Sequence, residues 1–163
     1  MRLHGWDYSS PGWYFVTICV KNKECFLADF VGSKIVLNEY GKIVESRMKW
    51  LQNQYPYVDL DAFVVMPNHV HGLVKIIADS VVTGRDLSLP IRGKRKPLSD
   101  IIGVFKTTSS KAIHLAGFPN FFWQRSFYEK IVRSEQEANA VRQYIMENPS
   151  NWNHDDENPD NVF

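Results

Sequence analysis

Phe63-Val64-Val65-Met66-Pro67-Asn68-His69-Val70-His71-Gly72-Leu73-Val74 is the stretch whose reading decides the fold. On both sides of Pro67-Asn68 it is apolar and β-branched, the composition of two strands joined by a tight turn or bulge. Side chains alternate faces along a strand, so His69 and His71 share a face while Val70 points into the core. Such a pair is either a polar couple on a solvated strand face or two arms of a metal clamp. Gly72 is expected to leave room above the strand for an ion.

Working outward, residues 58–66 and 69–77 form an antiparallel pair, with the histidines opening its second strand. Upstream, residues 13–20 (Trp-Tyr-Phe-Val-Thr-Ile-Cys-Val) follow Pro11-Gly12 and read as a buried strand. Short extended pieces in 25–37, broken at Gly32-Ser33, suggest an edge hairpin. Asn38 then caps a helix whose apolar positions Tyr40, Ile43, Val44, Met48 and Leu51 keep the 3.6 period and which ends before Tyr55-Pro56.

Downstream, residues 78–97 lack periodicity, contain Gly84, Pro90 and Gly93, and read as a mobile surface loop. Leu98, Ile101, Ile102, Phe105, Ala112 and Ile113 mark a second helix, with the weak helix formers Thr107-Thr108-Ser109-Ser110 in its middle. That hydroxyl row, beside Lys106 and Lys111, either meets phosphate oxygens or is ordinary solvated surface. Residues 121–123 and 127–132 give one or two further strands. Ser134-Glu135-Gln136-Glu137 has capping-box form, Ala138, Val141 and Ile145 make a stripe, and Asn148-Pro149 forces a stop, so a last helix spans 135–147. Tyr144 and Asn148 are i, i+4 neighbours on it, serving either packing and capping or a site.

The order β-α-β-β-α-β-α predicts an α+β, ferredoxin-like sandwich: an antiparallel sheet with helices on one face and an added C-terminal helix. With 163 residues, 44% hydrophobic and 13% aromatic, the chain suits a single domain, 1–163, with a core of about 8–152 and an acidic tail at 153–163. Cys19 and Cys25 form no disulfide framework or CxxC pair. No signal peptide and no apolar run of about 18 residues is present, so a cytoplasmic protein that does not enter membranes is expected.

The net charge of +1 conceals a division. Residues 85–133 hold ten bases against three acids, and from 134 onward seven acids face Arg142 alone. Arg92, Lys94, Arg95, Lys96, Lys106 and Arg125 are therefore candidate phosphate contacts, with solvated surface as the alternative; Phe122 and Trp123 are stacking faces or buried aromatics.

Tyr14-Phe15-Val16-Thr17, Val64-Val65-Met66-Pro67-Asn68-His69-Val70-His71-Gly72, Phe105-Lys106, Phe122-Trp123-Gln124, and Tyr144-Ile145 with Asn148-Pro149 together resemble the single-tyrosine HUH transposases, in the branch related to the REP-associated tyrosine transposases. The resemblance spans about residues 8–152 and departs most in 78–97 and after Trp152. It implies that His69 and His71 are metal ligands, that Tyr144 is the nucleophile, and that Asn148 completes the metal shell. It further implies Mg²⁺ or Mn²⁺, single-stranded DNA with hairpins as partner, a 5′-phosphotyrosine intermediate with a freed 3′-hydroxyl, and a bacterial, nucleoid-associated setting. Homodimer and monomer both occur among such enzymes, and the residues do not choose between them.

The chemistry is consistent with the residues. A phenol, with an unperturbed pKa near 10, needs a nearby cation or base to attack phosphorus. A neutral amide as third ligand favours Mg²⁺ or Mn²⁺ over zinc. Tyr128, beside Lys130, competes for the nucleophile's role. Two other functions fit the same residues: a non-catalytic single-strand binder, and a metal-dependent phosphodiesterase acting through water.

Overall fold

The computed structural model describes residues 3–78 and 95–160. In chain order its strands are β1 (Gly12–Cys19), β2 (Ala28–Val31), β3 (Lys34–Leu37), β4 (Val58–Val65), β5 (His69–Ile76) and β6 (Tyr128–Val132), and its α-helices α1 (Glu39–Gln54), α2 (Leu98–Leu115) and α3 (Glu135–Glu147). β4, β5, β1 and β6 make one antiparallel sheet in that spatial order, and β2 and β3 form a separate hairpin. Setting the hairpin aside, the β-α-β-β-α-β order with its first and third strands central is the ferredoxin-like α+β architecture expected from the sequence. No described helix is long and apolar enough to cross a membrane.

Each sheet face has its own core. Val16, Ile18, Val70, Val74 and Ile76 meet Val44, Met48 and Leu51 of α1 and Ile101, Ile102 and Phe105 of α2. Leu73 and Val132, on the opposite face, meet Ala138 and Ile145 of α3. His69 and His71 share the Leu73 face by strand alternation, so they lie under α3. Gly72 points the other way: a Cβ there would come within 3.2 Å of Met48 Cε. The expectation that Gly72 opens space over the histidines is therefore corrected, because its space is used by α1.

The helix ends follow their caps. Asn38 Oδ1 accepts from the amides of Tyr40 and Gly41 at 3.0 and 2.9 Å, and Ser134 Oγ accepts from Glu137 N–H at 3.1 Å. Glu137 reaches back to the amide of Arg133 at 3.0 Å, one residue outside the usual capping box. Thr107-Thr108-Ser109-Ser110 do not interrupt α2. Thr108 and Ser109 hydroxyls donate to the carbonyls of Val104 and Phe105 at 2.8 and 2.6 Å, so both are bonded within the helix.

Residues 121–123 contribute one isolated bridge, Val20 to Trp123, rather than a strand. Phe121 and Trp123 are core aromatics instead, and the indole N–H donates to Ser109 Oγ at 2.9 Å. β4 contains a bulge: Leu60 faces Val74 and Ala62 faces Leu73, leaving Asp61 as the extra residue. The predicted loop at 78–97 falls mostly outside the described residues, and Arg92 and Lys94 with it. The acidic segment after Trp152, expected as a tail, packs on the body: Asn68 Nδ2 donates to Glu157 O at 2.6 Å, and Lys23 pairs with Glu157 at 3.0 Å.

Candidate active site

β5 begins directly after the Met66–His69 turn, closed by Met66 N–H donating to His69 O at 2.8 Å, so both histidines sit at the start of a central strand. Their Nε2 atoms converge to 3.0 Å. Each Nδ1 is held from behind, that of His69 by Asn68 Oδ1 at 2.7 Å and that of His71 by Thr17 Oγ1 at 2.9 Å. Thr17 lies opposite His71 in the β1–β5 register, so strand pairing supplies this partner.

Burial pushes the His69 imidazole down to about 4 and the His71 imidazole down to about 3, the second also because His69 is beside it. Both rings are neutral at physiological pH. Two neutral imidazoles at this separation either share one proton or aim both lone pairs at a common electrophile. The Thr17 hydroxyl serves either arrangement, donating to His71 Nδ1 in the first and accepting from it in the second.

α3 brings Tyr144 and the chain just beyond brings Asn148. The Tyr144 ring is 48% exposed and packs edge-on against His71 at 5.4 Å and against Phe15 at 6.0 Å between centroids. Burial and the neighbouring Asp155 carboxylate raise its phenol above the ordinary value, while Asn148 opposes them. Asn148 is buried, and its Oδ1 has no hydrogen-bond partner among the described residues. Tyr128 of β6 enters the same space, edge-on to Phe15 at 6.2 Å. Phe15, Thr17, His71, Tyr128, Tyr144, Asn148, Asn151 and residues 154–157 line a pocket of about 540 Å³.

The donors fit a divalent cation. Ligands in adjacent positions of an octahedral ion with bonds of about 2.1 Å stand about 3.0 Å apart, the separation of the two Nε2 atoms. Neutral imidazoles are the required protonation state, and the unsatisfied amide oxygen of Asn148 is a further buried donor.

The structure thus brings His69, His71, Tyr144 and Asn148 together. Of the basic candidates, the described ones, Arg95, Lys96, Lys106 and Arg125, do not line that pocket. Lys106 Nζ donates to the carbonyls of Gln124, Arg125 and Ser126 at 2.8, 3.2 and 3.1 Å. Arg95 lies over the Tyr57 ring at 5.1 Å and donates to the Ile77 carbonyl, and the Lys96 amide donates to the Tyr57 hydroxyl at 2.9 Å. Arg125 lines a separate groove with Lys21, Lys23, Gln124 and Phe122, whose ring is 52% exposed.

Three residues escaped the sequence reading. Thr17 needed the strand register, and Asn68 looked like turn chemistry alone. Asp155 belonged to an acidic run without periodicity.

No family model matches the chain. An uncharacterized protein of Haemophilus influenzae (strain ATCC 51907 / DSM 11121 / KW20 / Rd) is 34% identical over 163 residues, 95% of this chain and 89% of its own. Among solved structures, that of a REP-associated tyrosine transposase bound to a REP hairpin superposes with a TM-score of 0.57 at 19% identity, covering 91% of this chain and 73% of that one. A crystal structure from Deinococcus radiodurans R1 gives 0.49 at 18% identity, covering 90% and 95%. The first of these likenesses shows a shared fold.

Proposed function

We propose that this chain, which belongs to one family with the Haemophilus influenzae protein, is a metal-dependent transposase-type enzyme that cuts and rejoins single-stranded DNA beside hairpins through a 5′-phosphotyrosine. One observation carries the reading: two imidazoles converge to 3.0 Å, and the second, His71, lines a pocket together with a half-exposed tyrosine on a helix and a buried, unsatisfied amide oxygen one turn on. The shared fold with a transposase solved on a REP hairpin supports the choice of substrate.

His69, His71 and Asn148 would hold Mg²⁺ or Mn²⁺, which supplies positive charge to polarise a phosphodiester and offset the charge of the transition state. The surroundings of Tyr144 raise its phenol, so the protein alone keeps it protonated at neutral pH and a cation is needed to lower it. Tyr144 Oη forms the new bond to phosphorus as the bond to the 3′-oxygen breaks. The phenol's proton leaves to water at the open pocket, and the released oxygen takes up a proton to become a 3′-hydroxyl. Because the phosphotyrosine keeps the diester's bond energy, attack by a second 3′-hydroxyl rejoins strands without another energy source.

Labelled hairpin DNA with single-stranded flanks, incubated with protein and Mn²⁺ and run on a denaturing gel, tests this reading. A protein-linked band that Tyr144→Phe abolishes and Tyr128→Phe retains is expected, with the adduct peptide mapped by mass to Tyr144. An adduct on Tyr128 would overturn the assignment of nucleophile. Cleavage without adduct would make the protein a phosphodiesterase acting through water, and binding without cleavage would make it a single-strand binder.

A further inference from the structure

The segment after α3 carries a carboxylate to the histidines. Asp155 Oδ2 stands 3.8 Å from His69 Nε2, and the side chain is 5% exposed. Its ligand oxygen and the two imidazole nitrogens all lie within 4.8 Å of one another. The other oxygen, Oδ1, accepts the amide of Glu157 at 2.8 Å, which fixes the carboxylate with one oxygen in the chain and the other toward the imidazoles.

The position is built rather than incidental. Trp152 is buried with its ring 6.1 Å from that of His69, and its carbonyl accepts from Asn158 Nδ2 at 3.0 Å. Asn68, whose Oδ1 meets His69 Nδ1, uses its Nδ2 to hold the carbonyls of Lys23 and Glu157 at 3.1 and 2.6 Å. One side chain therefore orients a histidine and anchors the segment that presents Asp155.

We propose that Asp155 is a protein ligand of the cation, giving a two-histidine, one-carboxylate set with the Asn148 amide oxygen as the weaker fourth donor. The inference rests on reading His69 and His71 as ligands. A carboxylate beside two imidazoles leaves a bound dication at a net +1, and mixed nitrogen and oxygen donors suit a first-row ion such as Mn²⁺ better than Mg²⁺, which prefers oxygen alone. Since this ligand follows α3, cation binding also ties the segment to the sheet.

Manganese binding to the DNA-free protein tests this without any activity, by the loss of the free Mn²⁺ paramagnetic resonance signal. Asp155→Asn keeps an Oδ1 to accept the Glu157 amide, so the local turn is preserved, and circular dichroism checks each variant. The expected result is at least a tenfold weaker Mn²⁺ affinity and a reduced preference for Mn²⁺ over Mg²⁺ in Asp155→Asn, a smaller loss in Asn148→Ala, and no binding in His71→Ala. In the wild type, Mn²⁺ should also slow amide exchange across residues 151–158. Wild-type affinity in Asp155→Asn beside lost binding in His71→Ala, or no change in exchange over 151–158, overturns the role of Asp155 and leaves the histidine pair standing. Absent binding by the wild type, or undiminished binding by His71→Ala, overturns the metal centre and this inference with it.

Discussion

Thr17 decides which nitrogen of His71 is available. For Nε2 to present a lone pair to an ion, Nδ1 must carry the proton and donate it, and at 2.9 Å the hydroxyl of Thr17 is the acceptor. Thr17→Val keeps the shape but leaves that buried N–H without a partner, a cost of about 1–3 kcal/mol that falls on the cation-bound tautomer. Calorimetric titration with Mn²⁺ should show affinity reduced about 10–100-fold in Thr17→Val and recovered in Thr17→Ser; equal affinities would show that the Thr17 hydroxyl does not support the metal-binding form. At this scale the sequence was only partly readable. His69 and His71 declare themselves through their i, i+2 spacing, whereas Thr17 stands 54 residues from His71 and is joined to it by register alone. Asp155 is likewise hidden, because its approach depends on the Asn68 and Trp152 contacts that fold the segment back.

At the scale of elements, the question is how α3 holds Tyr144 over the sheet. Its apolar stripe is short, with only Ala138 and Ile145 fully buried, and a polar clamp adds to it. The bulge turns Asp61 toward α3, where Arg142 grips it with two N–H donors at 2.6 and 2.7 Å and Trp13 Nε1 adds a third at 3.1 Å. The Arg142 guanidinium holds the Asp61 carboxyl below its usual range. A carboxyl depressed in the folded state contributes stability that is complete above its unfolded value near 3.8 and is lost as pH falls through the folded one. The histidines act in a different window. Their folded values of about 4 and 3 lie below the unfolded 6.5, so unfolded imidazoles take up protons first, and stability in chelator falls from about pH 6.5 downward. Asp61→Asn should therefore lower the melting point by an amount that is constant between pH 5 and 8, corresponding to about 1–3 kcal/mol before solvent screening at the partly exposed Arg142 reduces it. The difference should shrink below about pH 4. A difference that instead closes between pH 6.5 and 5 would assign the effect to the histidines. The capping residues of α1 and α3 were legible because capping is local. The bulge was not, since Asp61 and Arg142 are 81 residues apart, and the aromatic run at 121–123 is too short for a period of two to be tested.

For the whole molecule, the distribution of charge in space differs from its distribution along the chain. The surplus of bases in 85–133 suggested one phosphate-binding run. Part of it is used internally. Lys106 holds three carbonyls of the 124–126 turn, and Arg95 rests on Tyr57 and Ile77, at the end of β5 about 25 Å from His69 at the strand's rise per residue. Lys21 and Arg125, by contrast, border the groove beside exposed Phe122, and Lys21 N–H donates to the Phe122 carbonyl at 3.0 Å, joining that groove to the end of β1 next to the histidines. To a single strand bound as proposed, this groove would offer cations and an aromatic face beside the end of β1. Removing one phosphate-binding cation should lower the slope of log affinity against log salt by about 0.7 for a single strand. Fluorescence anisotropy of hairpin DNA with a single-stranded flank, measured across a KCl series, should therefore give a flatter slope for Lys21→Gln and Arg125→Gln. Arg95→Gln should leave it unchanged, and Lys106→Gln should lower the melting point with little effect on the slope. The reverse pattern, with Arg95 carrying salt dependence and Lys21 and Arg125 silent, would move the DNA path to the opposite end of the sheet.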